Sequence, residues 1–407
     1  MQSFEVIIVG GGHAGAQAAI ALRRLGFAGS IAIVSQEPDP PYERPPLSKE
    51  YLAGEKPFER MLIRPPEFWA ERGIKLRLGR RVAALEPAAG QVLIEDGERL
   101  AYRNLIWAAG GRPYRLRCAG GDLGNVHSIR SRADVDALRA GLHQVNRIAV
   151  IGGGYIGLEA AAVLTKLGKR VTLLEAADRV LSRVTAEPLS RFYEAEHRAH
   201  GVDLRTGAVV QSIEGRNGAA VGVRLGGGET LPAELVIVAI GIGAAVEPLL
   251  AAGAAGGDGV DVDRYCRTTL PRVFAAGDGA AHCNRFAGGA RIRLESVQNA
   301  HDQATTAAKA IAGQAEPYDA LPWFWSNQYD LKLQTAGLWT GFDELVVRGE
   351  PASRSFSVVY LREGRLIALD CVNAVRDYAQ GRKLILENAR PDLGKLVDGS
   401  IPLKECL

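Results

Sequence analysis

Two glycine-rich turns have the residue types and the spacing that bind the phosphates of a dinucleotide. The central one, Gly152-x-Gly154-x-x-Gly157, follows the apolar run Arg147–Ile151 and precedes an Ala/Leu-rich helical pattern. The first glycine permits the tight bend, the second lets the backbone approach a pyrophosphate, and the third lets helix and strand pack closely. After another apolar run, Glu175 supplies a carboxylate that can bind both hydroxyls of an adenosine ribose. The alternative is a glycine-rich turn before a core helix, but every element of the dinucleotide context is present.

The earlier turn repeats this pattern near the start of the chain. The apolar run Phe4–Val9 ends in Gly10-x-Gly12-x-x-Gly15, and a helical run, a second strand and Glu37 follow in that order. An accidental match is far less credible when both copies have their full context. The sequence therefore predicts that one protein holds two dinucleotides.

Composition agrees with a globular chain of two or three domains. The chain has 407 residues, of which 47% are hydrophobic and 23% charged, and its net charge of +3 is too small to indicate nucleic acid. The longest apolar run, Leu235–Val246, is too short to span a bilayer, and the first strand begins almost at Met1, which predicts no signal peptide. Five scattered cysteines have no metal-ligand spacing. We expect a reduced, cytoplasmic protein without a metal site.

Further polar residues lie where elements between and after the turns begin or end. Four prolines stiffen residues 40–49 and present Arg44 and Lys49, which suits a pyrophosphate and the electron-rich edge of a flavin. A rigid surface loop with solvated charges is the alternative. Small residues after Leu105–Trp107 would let a cofactor lie close to the backbone. Asp278 ends a predicted strand and can accept hydrogen bonds from sugar-alcohol hydroxyls, although an Asp there is as often a turn former.

The order of the elements predicts an α/β protein in which one dinucleotide unit is inserted in another. Residues 72–104 have the pattern of a β-meander, and the apolar strand Leu235–Ile240, followed by Gly241, mirrors the close of the first unit. From Tyr318 the composition changes to a dense aromatic cluster at 322–329, followed by two strands and a helix. We predict a third, smaller α+β domain there, with the aromatic cluster serving either as core or as part of a site.

Six motifs occur in one order along essentially the whole chain, and together they resemble the NADH-dependent ferredoxin reductases of bacterial oxygenase systems. They are Gly10-x-Gly12-x-x-Gly15, Arg44-Pro-Pro-Leu-Ser-Lys49, Gly152 to Glu159, Ala275-x-Gly277-Asp278, Glu295-Ser296-Val297 and Trp323-Phe324-Trp325. The resemblance implies a glutathione-reductase-like architecture. Its parts would be an FAD domain (1–112 and 245–318), an NAD domain (113–244) and a C-terminal α+β domain (319–407).

The resemblance also implies roles for single residues. Lys49 and Glu159 match a pair beside flavin N5, Trp325 matches a tryptophan near the flavin on the ferredoxin side, and Glu175 matches the acid that prefers NADH. The implied FAD contacts are Gly10, Gly12, His13, Ala14, Gly15, Glu37, Arg44, Lys49, Val82, Ala109, Gly110, Arg130, Asp278, Glu295, Ser296, Val297 and Trp325. The implied NAD contacts are Gly152, Gly154, Tyr155, Ile156, Glu159, Glu175, Arg183 and Gly241. Two features depart from the pattern: Ala109 replaces a frequent Thr, and Ser35 and Gln36 stand where some relatives already have an acid.

The implied activity is electron transfer from NADH through FAD to a [2Fe–2S] ferredoxin. That ferredoxin would supply an oxygenase, either a haem-thiolate monooxygenase or a ring-hydroxylating dioxygenase. The alternatives are a rubredoxin reductase, an NADH oxidase, a monodehydroascorbate-reductase-like enzyme, or a redox-responsive interaction protein like apoptosis-inducing factor. We expect a monomer or homodimer that binds neither nucleic acid nor membrane. The cations expected to dock an acidic ferredoxin are Arg291, Arg293, Lys332, Arg376, Arg382 and Lys383.

Overall fold

A computed structural model describes the whole chain, Met1–Leu407. Short apolar strands alternate with helices along much of it. The helices are α1 (His13–Arg24), α2 (Pro66–Glu71), α3 (Arg132–Leu142), α4 (Tyr155–Lys166), α5 (Glu187–Ala199), α6 (Glu247–Ala251), α7 (Val297–Ile311), α8 (Val375–Leu386) and α9 (Leu393–Val397). The strands are β1 (Gln2–Val9), β2 (Ile31–Val34), β3 (Ile74–Arg77), β4 (Val82–Glu86), β5 (Gln91–Ile94), β6 (Arg99–Trp107), β7 (Gly111–Pro113), β8 (Val126–His127), β9 (Arg147–Ile151), β10 (Arg170–Leu174), β11 (Asp203–Arg205), β12 (Val210–Arg216), β13 (Ala219–Leu225), β14 (Thr230–Pro232), β15 (Leu235–Val238), β16 (Ile242–Ala244), β17 (Gly256–Gly257), β18 (Gly259–Asp261), β19 (Val273–Ala275), β20 (Ala280–Cys283), β21 (Arg291–Ile292), β22 (Trp323–Gln328), β23 (Leu331–Gly337), β24 (Glu344–Glu350), β25 (Ser355–Arg362) and β26 (Arg365–Val372). None of the helices has the length and apolar character needed to cross a membrane.

The chain divides into two compact units. The first contains residues 1–44, 58–112 and 243–322, and the second contains residues 45–57, 113–242 and 323–407. The proline-stiffened segment that carries Lys49 thus belongs to the second unit, together with the inserted dinucleotide unit and the C-terminal residues. The three-domain division predicted from the sequence stays a prediction.

The first unit is built on a sheet whose centre is β1. The order is β3-β2-β1-β6-β5-β4, with β19 also paired to β6. Strands β3, β2, β1, β6 and β19 are parallel, whereas β4, β5 and β6 form an antiparallel meander. The meander predicted over 72–104 therefore begins only at β4, because β3 pairs parallel with β2. Helices α1 and α7 pack closely because they meet through alanines, among them Ala18 and Ala304, both fully buried. The centre of this sheet is buried on both faces, as a parallel sheet requires.

The second unit contains two larger sheets. The parallel one has the order β11-β10-β9-β15-β8 and carries the central glycine turn between β9 and α4. The antiparallel one has the order β22-β23-β26-β25-β24. Helix α8 packs on one face of this second sheet, where a Cβ on Gly381 would lie only 2.5 Å from the Leu369 side chain. Side chains alternate between the faces of a strand, so β22 presents Phe324, Ser326 and Gln328 on the face opposite Trp323 and Trp325.

Candidate functional site

The two glycine turns have the same internal geometry, one in each unit. Gly10 and Gly152 have φ angles of 111° and 110°, and a Cβ on either would lie 2.2–2.3 Å from a backbone carbonyl oxygen. A Cβ on Gly157 would lie 2.0 Å from the Gly152 oxygen. At Gly12 and Gly154, in contrast, a Cβ would meet no atom of the protein within 4 Å. The first and third glycines are therefore required by the fold, whereas the second leaves open space in front of a helix N-terminus, as a pyrophosphate needs. The turns fit the two dinucleotides.

Glu175 follows β10, and its carboxylate is fixed in the turn of the second unit. Its Oε2 accepts a hydrogen bond from the Gly153 N–H at 2.6 Å, and its Oε1 accepts one from the Ala177 N–H at 2.8 Å. These two donors hold the acid at the end of the strand, which is where a carboxylate binds an adenosine ribose in such turns. Arg183 is exposed, and its guanidinium would lie 3.6 Å from a Cβ on Gly241.

The first unit has no acid at the position equivalent to Glu175. That position, directly after β2, is Ser35, whose Oγ would lie 3.0 Å from a Cβ on Gly11. Glu37 comes two residues later, and its carboxylate is bound by Arg44 Nη2 at 2.5 Å and by the Tyr42 hydroxyl at 2.5 Å. Glu37 and Arg44 thus lie in one cluster, which agrees with the prediction that both contact FAD. Tyr42, the third member of the cluster, was not predicted from the sequence.

Asp278 lies in the turn that follows β19, and two side chains fix the backbone of that turn. The Gly277 N–H donates to Gln303 Oε1 at 2.9 Å, and Arg293 Nη1 donates to the Asp278 carbonyl oxygen at 2.6 Å. The side chain of Arg293 is only 10% exposed and also pairs with Asp258 at 3.1 Å. The prediction that Arg293 is a docking cation is therefore wrong: its charge is used inside the first unit, and its sequence neighbourhood gave no sign of this.

Residues before α7 form an ordered helix N-terminus in the first unit. The Ser296 Oγ accepts from the Asn299 N–H at 3.0 Å, which caps the helix, and Val297 is its first residue. Glu295 is exposed and pairs with Arg293 at 3.1 Å. The positive end of the α7 dipole favours negative charge beside Val297.

Lys49 and Glu159 form a buried ion pair within the second unit. The distance from Lys49 Nζ to Glu159 Oε2 is 2.6 Å, and the side chains are 12% and 2% exposed. Glu159 lies in α4, two residues after Gly157, and Lys49 follows a single helical turn, Pro45–Ser48. The pair was predicted from the resemblance, and the structure brings its members together.

Two hydroxyl groups complete the surroundings of Glu159. Ser48 Oγ donates to Oε2 at 2.6 Å, and Ser326 Oγ donates to Oε1 at 2.6 Å. The carboxylate therefore has three donors, as an ion out of water requires. Both serines were missed in the sequence, although alternation along a strand at 323–328 would have put residue 326 on the face opposite Trp325.

The remaining predicted residues are distributed over the two units. In the first unit His13 begins α1 and its Nε2 accepts from the Arg44 N–H at 3.2 Å, Ala14 is buried in α1, Val82 begins β4 in the core, and Ala109 and Gly110 follow β6. In the second unit Arg130 precedes α3, Ile156 is exposed in α4, and Trp325 is half-buried in β22. Tyr155 begins α4, and its ring lies 4.6 Å from that of Phe324. Burial raises the pKa of the Tyr155 phenol well above its usual range.

Comparison with known proteins places these features in a family. The chain belongs to the pyridine nucleotide-disulphide oxidoreductase family, whose model matches residues 4–304, and a reductase C-terminal model matches residues 323–407. It is an FAD- and NAD(P)H-dependent oxidoreductase of the kind that serves as ferredoxin reductase in oxygenase systems. The glutathione-reductase-like fold class predicted from the sequence is confirmed.

Individual relatives cover nearly the whole chain. The 5,5'-dehydrodivanillate O-demethylase ferredoxin reductase subunit of Sphingobium sp. is 59% identical over 406 residues, which is 100% of this chain and 98% of that protein. A ferredoxin–NAD(P)(+) reductase of Sphingomonas sp. is 56% identical and covers 98% of this chain and 97% of its own. The reductase in a covalent putidaredoxin reductase–putidaredoxin complex has a TM-score of 0.95 at 40% identity, covering 100% of this chain and 98% of that one.

Proposed function

We propose that this enzyme takes electrons from NADH, rather than NADPH, and delivers them to a [2Fe–2S] ferredoxin that supplies an oxygenase. The observation that carries the proposal is the geometry of β22. One face of this strand places Ser326 on Glu159 of the Lys49–Glu159 pair, and the other face presents the half-buried Trp325. A single strand thus links the ion pair expected beside the flavin to an aromatic surface suited to brief docking of a redox protein.

The residues of this chain have separable tasks in that reaction. Bound FAD supplies the conversion of a two-electron donor into a source of single electrons. Gly12 and Gly154 leave room for the two pyrophosphates, and the helices behind them offer backbone N–H groups. The Lys49 ammonium would stabilise negative charge on a flavin bound beside it, and Glu159 holds that ammonium in place.

The choice of NADH is supported by the fixed carboxylate of Glu175. Because two backbone N–H groups hold it at the strand end, a 2′-phosphate on the ribose would meet a like charge there. The Arg179 guanidinium donates to the oxygens of Ser182, Thr185 and Ser190 rather than to the Glu175 carboxylate. Arg183 makes no ion pair and is the cation left to soften the preference.

The docking surface that we propose lies on the C-terminal sheet and α8. Lys332 pairs with Asn327 across β22 and β23 and so shares the face of Trp325. Arg376 is exposed on α8, and the Arg382 guanidinium lies 5.7 Å from the centre of the Trp323 ring. None of these three cations has a carboxylate partner, whereas Arg291 pairs with Asp261 and Lys383 pairs with Glu387. Three cations without carboxylate partners, on the same sheet and helix as the half-buried Trp323 and Trp325, suit an acidic ferredoxin.

A panel of donors and acceptors tests the proposal. With NADH, the FAD-loaded protein should reduce [2Fe–2S] ferredoxins much faster than rubredoxin, monodehydroascorbate or oxygen. The kcat/KM for NADH should exceed that for NADPH by about one order of magnitude or more, because of the like-charge cost. Equal kcat/KM for the two donors would contradict the role of Glu175. Faster reduction of rubredoxin or oxygen than of every ferredoxin would replace the proposed acceptor with one of the alternatives.

A further inference from the structure

A continuous hydrogen-bonded chain leads away from Glu159 through the interior of the second unit. Ser326 Oγ lies 2.6 Å from Glu159 Oε1, and Gln328 Nε2 lies 3.2 Å from Ser326 Oγ. His197 Nε2, on α5, lies 2.9 Å from Gln328 Oε1, and the Tyr329 hydroxyl lies 3.0 Å from His197 Nδ1. The chain thus contains Tyr329, His197, Gln328 and Ser326 and ends on a carboxylate.

With His197 neutral, only one arrangement of protons satisfies every hydrogen bond from Tyr329 to Glu159. A carboxylate accepts, so Ser326 must donate its single proton to Glu159. Gln328 must then donate its amide N–H to Ser326, which leaves its carbonyl oxygen to accept from His197 Nε2–H. His197 Nδ1 is therefore without a proton and accepts from the Tyr329 hydroxyl. All four hydrogen bonds point toward Glu159, and such bonds polarise one another in the same sense.

Burial makes this arrangement costly unless it is fully paired. Ser326 and His197 are 0% exposed and Gln328 is 1% exposed. Burial lowers the pKa of His197 to about 4, despite the opposing hydrogen bond to Gln328, so its ring is neutral at pH 7, as the proton arrangement requires. Tyr329, at the far end, is half-buried and its ring stacks on the exposed His200 at 3.7 Å.

We propose that Tyr329, His197, Gln328 and Ser326 are positioning residues that keep the Glu159 carboxylate aimed at Lys49. Ser326, the last residue of the hydrogen-bonded chain, donates to Glu159 Oε1. Glu159 Oε2 is then left to accept from Ser48 and the Lys49 ammonium. The four residues come from α5 and from the β22 region, so their hydrogen bonds also tie these two elements to Glu159 in α4. This role rests on the proposed function of Lys49 in hydride transfer.

Cutting the chain at two points tests the proposal. Ser326→Ala removes the last donor, and Gln328→Leu removes the middle link while keeping the volume. We expect Ser326→Ala to lower the limiting rate of flavin reduction by NADH about tenfold, the scale of one hydrogen bond to a charged group, with the Kd for NADH unchanged within about twofold. Gln328→Leu should lower the rate about threefold. The double variant Ser326→Ala with Gln328→Leu should be no slower than Ser326→Ala alone. Once Ser326 is lost, Gln328 no longer has a hydrogen-bonded connection to Glu159.

The matched control is Ser357→Ala, which removes another fully buried serine hydroxyl from the same sheet. Ser357 bonds to Asp377 and Cys371 and lies outside the chain. Its substitution should leave the limiting rate within about twofold of the parent. An equal loss of rate in Ser357→Ala, or losses that multiply in the double variant, would show that the chain is only structural.

A spectroscopic measurement decides the proton arrangement independently of turnover. The protein contains seven histidines in all, so ¹⁵N-histidine NMR can resolve the signal of His197. That signal is assigned by its loss in His197→Gln. We expect the Nε2–H tautomer in the parent and a changed tautomer population in Gln328→Leu. An Nδ1–H tautomer in the parent would overturn the proposal. If NADH fails to reduce the flavin of the parent, the proposed function fails, while the tautomer still decides whether the chain exists.

Discussion

The ion pair of Lys49 and Glu159 is almost entirely out of water. Loss of one partner should therefore affect both the stability of the protein and the rate of flavin reduction. Lys49→Met leaves the Glu159 carboxylate with hydroxyl donors but no cation. Breaking a buried pair in this way costs about 3–5 kcal/mol, because the remaining charge is uncompensated. We expect a lower midpoint of urea unfolding and slower flavin reduction by NADH in stopped-flow traces.

The double variant Lys49→Met with Glu159→Gln separates the two effects. It removes both charges, so most of the lost stability should return, while reduction should stay slow because the ammonium is absent. If Lys49→Met changes neither the unfolding midpoint nor the reduction rate, the pair is not the charged centre described here.

Asp370 is a second buried carboxylate, and it has no cation. It is 4% exposed and accepts hydrogen bonds from the hydroxyls of Thr185 and Tyr360, each at 2.6 Å. Burial raises the pKa of Asp370 to about 6, from its ordinary 3.8, although both hydroxyls oppose the shift. Between these values the folded state holds a proton that the unfolded state has released. The contribution to stability is therefore greatest below pH 3.8 and is lost as the pH rises through 6.

Asp370→Asn keeps the shape of the side chain and removes the charge. It should raise the free energy of unfolding at pH 7–8 by up to about 3 kcal/mol, from two pKa units at about 1.4 kcal/mol each. The gain should disappear near pH 4. Thermal melting across this pH range measures it, with Asp122→Asn as an exposed control that forms no hydrogen bond or ion pair. A variant less stable than the parent at pH 8 would contradict this account of Asp370.

At the scale of the element, the strand–turn–helix units separate glycines needed by the fold from glycines needed by a ligand. Gly154 has φ of −79° and ψ of 179°, which alanine adopts without strain, and its Cβ would meet no protein atom. Gly154→Ala should therefore fold normally but weaken NADH binding about tenfold or more, because the methyl group occupies space left for the pyrophosphate. Calorimetric titration with NADH measures this.

Gly157→Ala is the matched contrast within the same helix. Its Cβ would lie 2.0 Å from the Gly152 oxygen, so the turn must open or the helix must shift. We expect a clear loss of thermal stability, unlike Gly154→Ala. Unchanged NADH affinity in a folded Gly154→Ala would show that the nucleotide does not lie against this turn.

The elements with strong local signals were predictable, and those that depend on distant partners were not. Both glycine turns and their flanking strands carry the pattern in neighbouring residues, so β1, α1, β9 and α4 occur where the sequence predicts them. The strand β22 was seen only as an aromatic cluster, because its polar alternate positions bond to α4 and α5, far away in sequence. Arg293 was placed on the surface because no local pattern shows that Asp258 comes to meet it.

The candidate site was predictable where its residues belong to motifs, and not where they come from other parts of the sequence. Lys49 and Glu159 are 110 residues apart, and only the resemblance linked them. The resemblance gave no role to Ser48, although this residue lies inside the Arg44–Lys49 motif. It also gave none to Ser326, Gln328 or His197, because these residues lie outside the motifs. The equivalence of Ser35 with Glu175 needed the strand register, which places both directly after the second strand of a unit.

At the scale of the whole molecule, we expect electron delivery to a ferredoxin to depend on a weak, charge-steered encounter. Lys332→Glu reverses an exposed, unpaired cation on the face of Trp325, so the KM for ferredoxin should rise several-fold while ferricyanide reduction stays unchanged. Ferredoxin reduction should also fall with added salt, because screening acts over about 10 Å at 0.1 M. Steady-state assays with both acceptors measure this.

Lys75→Glu provides the control, since Lys75 is an exposed, unpaired lysine on β3 of the first unit. It should leave the KM for ferredoxin unchanged. Equal effects of the two reversals would indicate a general response to net charge, and no effect of Lys332→Glu or of salt would place the docking surface elsewhere.

One measurement tests most directly the claim that this chain carries electrons from NADH through FAD to a ferredoxin. FAD-loaded protein is mixed rapidly and without oxygen with limiting NADH and excess [2Fe–2S] ferredoxin, and the flavin and iron–sulfur absorbance are followed in one trace. We expect the flavin bands to bleach first, the iron–sulfur bands to follow, and two ferredoxins to be reduced for each NADH consumed. NADH consumption with the ferredoxin still oxidised, or ferredoxin reduction without bleaching of the flavin, would contradict it.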